Sequence, residues 1–213
     1  MKKKLWMLLV ILSTVSVLEA KSSNKKDCYI PKGELGCVTD MSTPEGMKKA
    51  MEMGTKKREV YKAAKVYFDK GRFGNEQVGF IAYPKGNWAL FYDPDASLSA
   101  FQIANGTDIY TLDAIKIVSK QGKTDSQIAA EIINNLYTGY KGAGHPESGL
   151  VRKSVIINGY KGEQLTVKNI SGISLVSNVI VTGNKIYFIS VEGVPSHIGE
   201  MTKWVINSWN PYK

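Results

Sequence analysis

The chain has 213 residues, 43% of them hydrophobic and 22% charged, a composition that suits a globular protein with one well-filled core. The formal net charge is +9, but residues 1–75 carry 16 Lys/Arg against 8 Asp/Glu, whereas residues 76–213 carry 12 against 11. A nucleic-acid-binding domain normally carries a basic face of its own. The nearly neutral C-terminal part therefore argues against nucleic acid as a partner.

Residues 1–22 are predicted to be a signal peptide. The start "MKKK" is followed by an apolar run of 14 residues, Leu5–Leu18, which is short for a membrane span and typical of a secretory signal. Cleavage after Ser22 places Ala20 and Ser22 at the two small-residue positions. The alternative is an uncleaved anchor. We therefore expect an exported protein, periplasmic or secreted, and no bacterial lipoprotein, since no cysteine ends the apolar run.

Residues 23–75 are predicted to form an extension that begins with a disulfide loop. The chain has two cysteines, Cys28 and Cys37, and Pro31-Lys32-Gly33 between them can turn the chain back. An exported protein meets oxidising conditions, in which such a pair forms a structural bridge. The alternatives are a redox pair, which is usually more closely spaced, and metal ligands, for which two cysteines alone do not complete a zinc site.

A basic helix is predicted to follow over about residues 44–70. Ser42 and Glu45 have capping-box spacing, and Pro44 suits the first helical position. Residues 71–75, "GRFGN", are predicted to be a linker. The basic side chains of the helix are either a solvated face or a candidate contact with an acidic partner or anionic lipid. The residues singled out for that contact are Lys48, Lys49, Lys56, Lys57 and Arg58.

From residue 76 onwards the pattern predicts a domain of strands and two helices. "VGFIAY" and "NWALFY" flank a Pro-Lys-Gly turn and are predicted to be a hairpin. Thr124 and Gln127 have capping-box spacing before an amphipathic helix over about 124–140. Two further hairpin patterns follow, and the apolar strand 186–191 is predicted to be covered on both faces. Pro195 opens a last helix, which closes the core of an antiparallel sheet.

This order of elements resembles the PsbP-like superfamily, which includes the extrinsic P protein of photosystem II and DcrB-like secreted bacterial proteins. The likeness covers about residues 76–213 and rests on four stretches: "YPKGNW", "NGYKGEQLTV", "GNKIYFISVEG" and the closing "INSW". The resemblance implies an α+β fold in which an antiparallel sheet is flanked by helices, an α/β/α sandwich. It also implies a binding or assembly factor without a shared catalytic motif, and the basic helix lies outside it as an N-terminal helical extension.

The residue types that carry chemistry form no recognised motif. His145, Glu147 and His197 would make a metal site only if the fold brought them together, and Asp93 and Asp95 are more typical of a turn than of a calcium site. No metal, cofactor or catalytic residue is therefore predicted. Among the aromatic residues, loop positions are the candidates for a partner surface. These are Tyr110 and Tyr160.

The sequence thus favours an exported, non-catalytic binding or assembly module with an envelope or secreted protein as its partner. One alternative is a secreted hydrolase whose active-site residues are dispersed along the chain. The other is a membrane-surface-binding factor that acts through the basic helix over residues 44–70.

Overall fold

A computed structural model describes residues 28–29, 38–69, 71–170 and 172–212. These residues form three α-helices, one short 3-10 helix (Glu147–Gly149) and twelve strands. The helices are α1 (Pro44–Ala63), α2 (Asp125–Gly142) and α3 (Ile198–Ser208). The strands are β1 (Cys28–Tyr29), β2 (Val38–Thr39), β3 (Tyr67–Asp69), β4 (Arg72–Asn75), β5 (Gly79–Ala82), β6 (Ala89–Phe91), β7 (Phe101–Asn105), β8 (Asp108–Lys116), β9 (Leu150–Ile157), β10 (Tyr160–Ile170), β11 (Ile173–Thr182) and β12 (Lys185–Gly193).

The main sheet has seven antiparallel strands in the order β6-β7-β8-β12-β11-β10-β9. The hairpin of β9 and β10 has a two-residue turn, in which Asn158 and Gly159 both have positive φ, 46° and 86°. That turn matches the right-handed twist of the flanking strands and fixes their register. Two smaller antiparallel sheets, β1-β2 and β3-β4-β5, complete the described strands.

Both faces of the main sheet are covered. Tyr187 and Ile189 of β12 point into a core cluster beneath α3, and Ile186 of the same strand points into a second cluster beneath α2. A strand buried on both faces is apolar at both alternating sets of positions, as predicted for residues 186–191. The fold class is α+β with helices on either side of an antiparallel sheet, which confirms the prediction.

The helix starts were predicted with unequal success. Thr124 caps α2, and Thr124 and Gln127 exchange both hydrogen bonds of the predicted capping box. At α1 the predicted box is wrong by one residue. Thr43 is the N-cap and accepts from the Gly46 amide, whereas the Ser42 hydroxyl donates to Asp40.

Two predictions between residues 71 and 92 are wrong. The stretch 71–75 is no linker, because β4 pairs with β5 and Phe73 is fully buried. Strands β5 and β6 do not pair as a hairpin. One side of β5 is paired with β4, Phe80 on its other side bridges to Asn210, and β6 pairs with β7.

Residues before position 76 pack into the same core as residues after it. Tyr61 of α1 and Phe73 of β4 lie in the same core cluster as Ile81 of β5 and Trp209. Trp209 is fully buried, and its indole Nε1 donates to the Val78 carbonyl at 3.3 Å. The core therefore includes side chains from both sides of residue 75, while the domain limits 23–75 and 76–213 stay a prediction.

Candidate functional site

The two edge strands of the main sheet differ in length. The edge strand β6 has three residues, and the Tyr61 hydroxyl donates to the Phe91 carbonyl at its end, at 2.9 Å. The same hydroxyl accepts from the Gln102 amide of β7 at 2.6 Å. The opposite edge strand, β9, has eight residues. Long edge strands that expose apolar residues are the usual places where another strand adds to a sheet.

The register shows which backbone groups of β9 point outward. Ile157 and Tyr160 flank the two-residue turn, so they form a hydrogen-bonded pair, and paired and outward-facing residues then alternate along the strand. The amide and carbonyl groups of Arg152, Ser154 and Ile156 consequently face away from β10. No backbone hydrogen bond from them to another element is present within the described ranges.

A groove runs between β9 and α2 on one face of the sheet. It consists of two adjoining depressions of about 470 and 570 Å³ that share Ser154 and Glu163. Ser126, Ala130 and Asn134 form the helix wall, because residues four apart lie on one side of a helix. The outer strand forms its floor, so an added strand would lie directly beside this groove.

The side chains of β9 combine apolar and basic character. Ile156 is 61% exposed and Val151 is 39% exposed, and no other strand of the main sheet exposes a large hydrophobic side chain to this extent within the described residues. The Arg152 guanidinium lies over the Tyr137 ring, 4.1 Å from its centroid, and donates to Asn134. The Ser154 hydroxyl donates to Glu163 at 2.8 Å. Neighbouring side chains therefore hold Arg152 and Ser154 in place, while Val151 and Ile156 are open to solvent.

The basic helix differs from the prediction in its length and at Lys57. It ends at Ala63 instead of about residue 70, and Tyr67–Asp69 form β3. Lys48, Lys56 and Arg58 are exposed, and Lys49 is half-buried, whereas Lys57 is 0% exposed. Lys57 therefore contacts neither a partner nor a lipid surface, and that part of the prediction is wrong. Its position one turn before Tyr61 explains the burial, since residues four apart share a face of a helix and Tyr61 inserts into the core.

The amine of Lys57 lies in a polar cluster in the interior. Its Nζ has no hydrogen-bond partner among the described residues. Burial lowers the pKa of Lys57, and the nearby carboxylates of Asp93, Asp113 and Asp95 partly offset that effect. An amine with a lowered pKa is a chemical feature of some catalytic sites. Here the amine is sealed from solvent and lines neither half of the groove, so we assign it a structural role.

The carboxylates around Lys57 are held by their own neighbours. Burial raises the pKa of Asp113, while the Ser99 hydroxyl and the Ala114 amide hydrogen-bond its carboxylate and lower that pKa. Asp95 accepts from the amide and the hydroxyl of Thr39 in β2, the latter at 2.5 Å. Asp93 accepts from the Asp95 amide, which is the turn predicted for this stretch.

The two predicted surface aromatic residues are not loop residues. Tyr110 is 3% exposed, and its ring packs against Trp88 with 4.8 Å between centroids, so this prediction is wrong. Its place in β8 explains the error, because alternate residues of that strand face the core. Tyr160 is half-buried at the start of β10 and packs edge-on against Trp209.

The structure separates the two histidines. His145 is buried after α2 against the Tyr140 ring, while Glu147 pairs with Lys141. His197 precedes α3, and its Nδ1 lies 2.8 Å from Asp108. Within the described residues no group of three or more His, Cys, Asp or Glu side chains has a metal-binding arrangement.

The N-terminal predictions fall largely outside the described residues. The signal peptide, residues 1–22, and Cys37 lie there, so the Cys28–Cys37 bridge stays a prediction. The pairing of β1 with β2 sets Cys28 opposite Thr39, two residues from Cys37. Across the part of the chain that the structure describes, no helix has the length and apolar character needed to cross a membrane.

The sequence patterns did not predict that β9 is an edge strand or that Lys57 is buried. Strand β9 itself was predicted, but its place at the edge depends on the order of seven strands. A local signal for that place exists in Arg152 and Lys153, since charged residues in the middle of a strand are typical of sheet edges.

Comparison with known proteins finds a distant structural neighbour. No protein-family model matches the chain, and no curated protein matches it. Among solved structures, the solution structure of cyanobacterial PsbP (CyanoP) from Synechocystis sp. PCC 6803 is similar over 68% of this chain and 91% of that chain. The identity is 12% and the TM-score is 0.44. At that level the likeness assigns no function, and membership of the PsbP-like superfamily stays a prediction.

Proposed function

We propose that the chain is an exported, non-catalytic binding or assembly module that takes an extended strand of another exported chain onto β9. Export to the periplasm or the extracellular space is inferred from the leader, residues 1–22. The observation that carries the proposal is the open edge of β9 beside the groove under α2. The chemistry needed is strand addition, which requires no catalytic group.

Strand addition would use the backbone for affinity and the groove for selectivity. Each backbone hydrogen bond to Arg152, Ser154 or Ile156 contributes about 0.5–1.5 kcal/mol net. Alternate side chains of the added strand would point toward α2, where Ala130 and Ser126 leave room beside the exposed Ile156. The other set would meet Val151 and its neighbours on the opposite face.

The test is an affinity capture of partners from envelope extract, with cross-linking and mass spectrometry. Ile156→Lys places a charge on the exposed edge. Val118→Lys is the matched control, because Val118 is at least as open to solvent as Ile156 but lies between β8 and α2. Ser154→Pro removes an outward-facing amide that makes no hydrogen bond within the sheet. We expect the partner to be retained by the Val118 variant and lost by the other two.

A partner held equally by all variants would contradict the proposal, because that partner would bind elsewhere. Circular dichroism and unfolding midpoints must show that the two edge variants remain folded. If neither a different protein nor a second copy of the chain is captured, the assembly function is contradicted. A screen of the chain for hydrolase activity is then the next experiment.

A second candidate function is peripheral contact with anionic membrane through α1. Met47 and Met51 are both exposed one turn apart, and Lys48, Arg58 and Lys62 are exposed on the same helix. Apolar and basic side chains together are typical of helices that lie on a lipid surface. Sedimentation with anionic vesicles at low salt would test it, with Met51→Glu expected to abolish binding. An absence of binding by the unmodified chain would exclude it.

A further inference from the structure

We propose that the strand added to β9 belongs to a second copy of the chain, paired antiparallel about a two-fold axis at Ser154. This inference rests on the proposed function, because it uses the same open edge. It specifies that a second copy of the chain occupies the edge of β9, and which residues of the two strands lie opposite each other. The two sheets would join into one continuous sheet across the axis, with β9 of each copy at the centre.

The outward-facing residues of β9 define which registers are available. With Ser154 opposite Ser154 of the second copy, the overlap runs over residues 151–157 of each strand. Arg152 then lies opposite Ile156 of the second copy, and both residues turn their free backbone groups toward each other. The aliphatic part of the arginine covers the exposed isoleucine.

On the other face of the joined strands, this register also places compatible side chains opposite each other. Val151 lies opposite Ile157 of the second copy, and Lys153 lies opposite its Val155. Apolar and β-branched pairs in directly opposed positions each contribute about 0.2–1 kcal/mol relative to alanine pairs. No two like charges are directly opposed, although each β9 carries Arg152 and Lys153.

Neighbouring registers are less favourable. An axis at Lys153 sets the two lysines directly against each other, which is destabilising. An axis at Val155 reduces the overlap to residues 153–157 and leaves Val151 uncovered. The register at Ser154 is therefore the one that covers both exposed apolar residues without opposing like charges.

The covering helices leave room for this pairing. α2 lies over β10 and β11, so it stands back from the edge. With strands about 4.8 Å apart, the two α2 helices would lie roughly 20 Å from each other, whereas a helix with its side chains is about 10–12 Å wide. The two grooves would merge into one channel across the axis.

Single cysteines test the register in the full chain. In the proposed pair the two Ser154 Cα atoms lie about 5.5 Å apart, within the range that a disulfide spans. Ser154→Cys should therefore form a disulfide-linked dimer under mild oxidation. Val155→Cys is the matched neighbour, and its two copies lie too far apart in this register. Asn184→Cys, in the exposed turn between β11 and β12, is the control for disulfides that form by random collision of two chains.

The mass in solution, measured by light scattering over a concentration series, tests the pairing without any cysteine. We expect twice the mass of one chain for the unmodified protein and for Val118→Lys, and the mass of a single chain for Ile156→Lys. Equal cross-linking at positions 154, 155 and 184 would overturn the register. A single-chain mass at every concentration would overturn the inference. In that case, capture of a different protein through β9 would leave the proposed function standing.

Discussion

Replacing Lys57 by methionine is expected to stabilise the folded chain. The lysine is fully buried and its amine has no hydrogen-bond partner among the described residues. Burial is the largest influence on its pKa and outweighs the attraction of the three nearby carboxylates. The ammonium is therefore less stable in its folded position than in water. Methionine keeps the length of the side chain as far as Cε, with sulfur in place of Cδ, and removes the amine.

The expected gain is about 1–3 kcal/mol, the cost of leaving a buried polar group unsatisfied. In a chain of this size that corresponds to roughly 2–12 °C in the thermal midpoint. Lys57→Ala should be less stable than Lys57→Met by about 2 kcal/mol, because it also loses three buried methylene groups. Asp113 should tolerate the change, since attraction to Lys57 is the smallest influence on its pKa.

The pH dependence follows from the same shift. Because the pKa of Lys57 is lowered from 10.5, the folded chain binds fewer protons than the unfolded chain between the lowered pKa and that value. The free energy of unfolding therefore rises with pH in this window for the unmodified chain. Lys57→Met lacks that rise. Its gain in the free energy of unfolding over the unmodified chain should therefore shrink as the pH approaches 10.5.

Urea unfolding followed by tryptophan fluorescence measures these differences. Lys56→Met is the matched control, since Lys56 is exposed on the same helix, and its effect should stay within about 0.5 kcal/mol. A loss of more than about 1 kcal/mol in Lys57→Met, with the control neutral, would refute the reasoning. It would mean that the ammonium forms a net favourable pair with the carboxylates.

Two further predictions concern the backbone. A Cβ on Gly79 would lie 2.8 Å from the Trp209 indole nitrogen at a φ of +81°, so Gly79→Ala should cost about 2–4 kcal/mol in urea unfolding. Gly183→Ala, with a similar φ of +62° but open space, should cost about 1 kcal/mol, and equal losses would show that the contact with the indole is unimportant. Thr124→Ala removes the cap of α2 and should cost about 1 kcal/mol. Thr124→Ser should restore it, and identical midpoints for Thr, Ser and Ala would rule out a capping contribution.

Local patterns predicted the second half of the chain well. The capping box at Thr124 and the turn at Asn158 depend on residues within four positions of each other, so local sequence patterns are enough to predict them. The buried faces of α2 and α3 also follow from spacing: Ile132 and Tyr140 in α2, and Met201 in α3, are buried as their periodicity predicts.

The failures share a dependence on distant pairing. Strand β5 pairs with β4 and bridges to Asn210, so its local turn with β6 could not reveal its partners. Tyr110 looked like a loop residue because β8 starts just before it. Lys57 looked like part of a solvated face because the sequence does not show which side of α1 meets the sheet. In each case the deciding contact lies far away along the chain.

The shortness of β6 has a consequence for the size of any assembly. This edge strand has three residues, so it offers few backbone groups to a further strand. The sheet is therefore more open to a further strand at β9, with eight residues, than at β6. Association through β9 alone is isologous, so it closes at two chains and cannot propagate into a fibre. A sheet with one long and one very short edge strand can therefore take up one further chain with little tendency to polymerise.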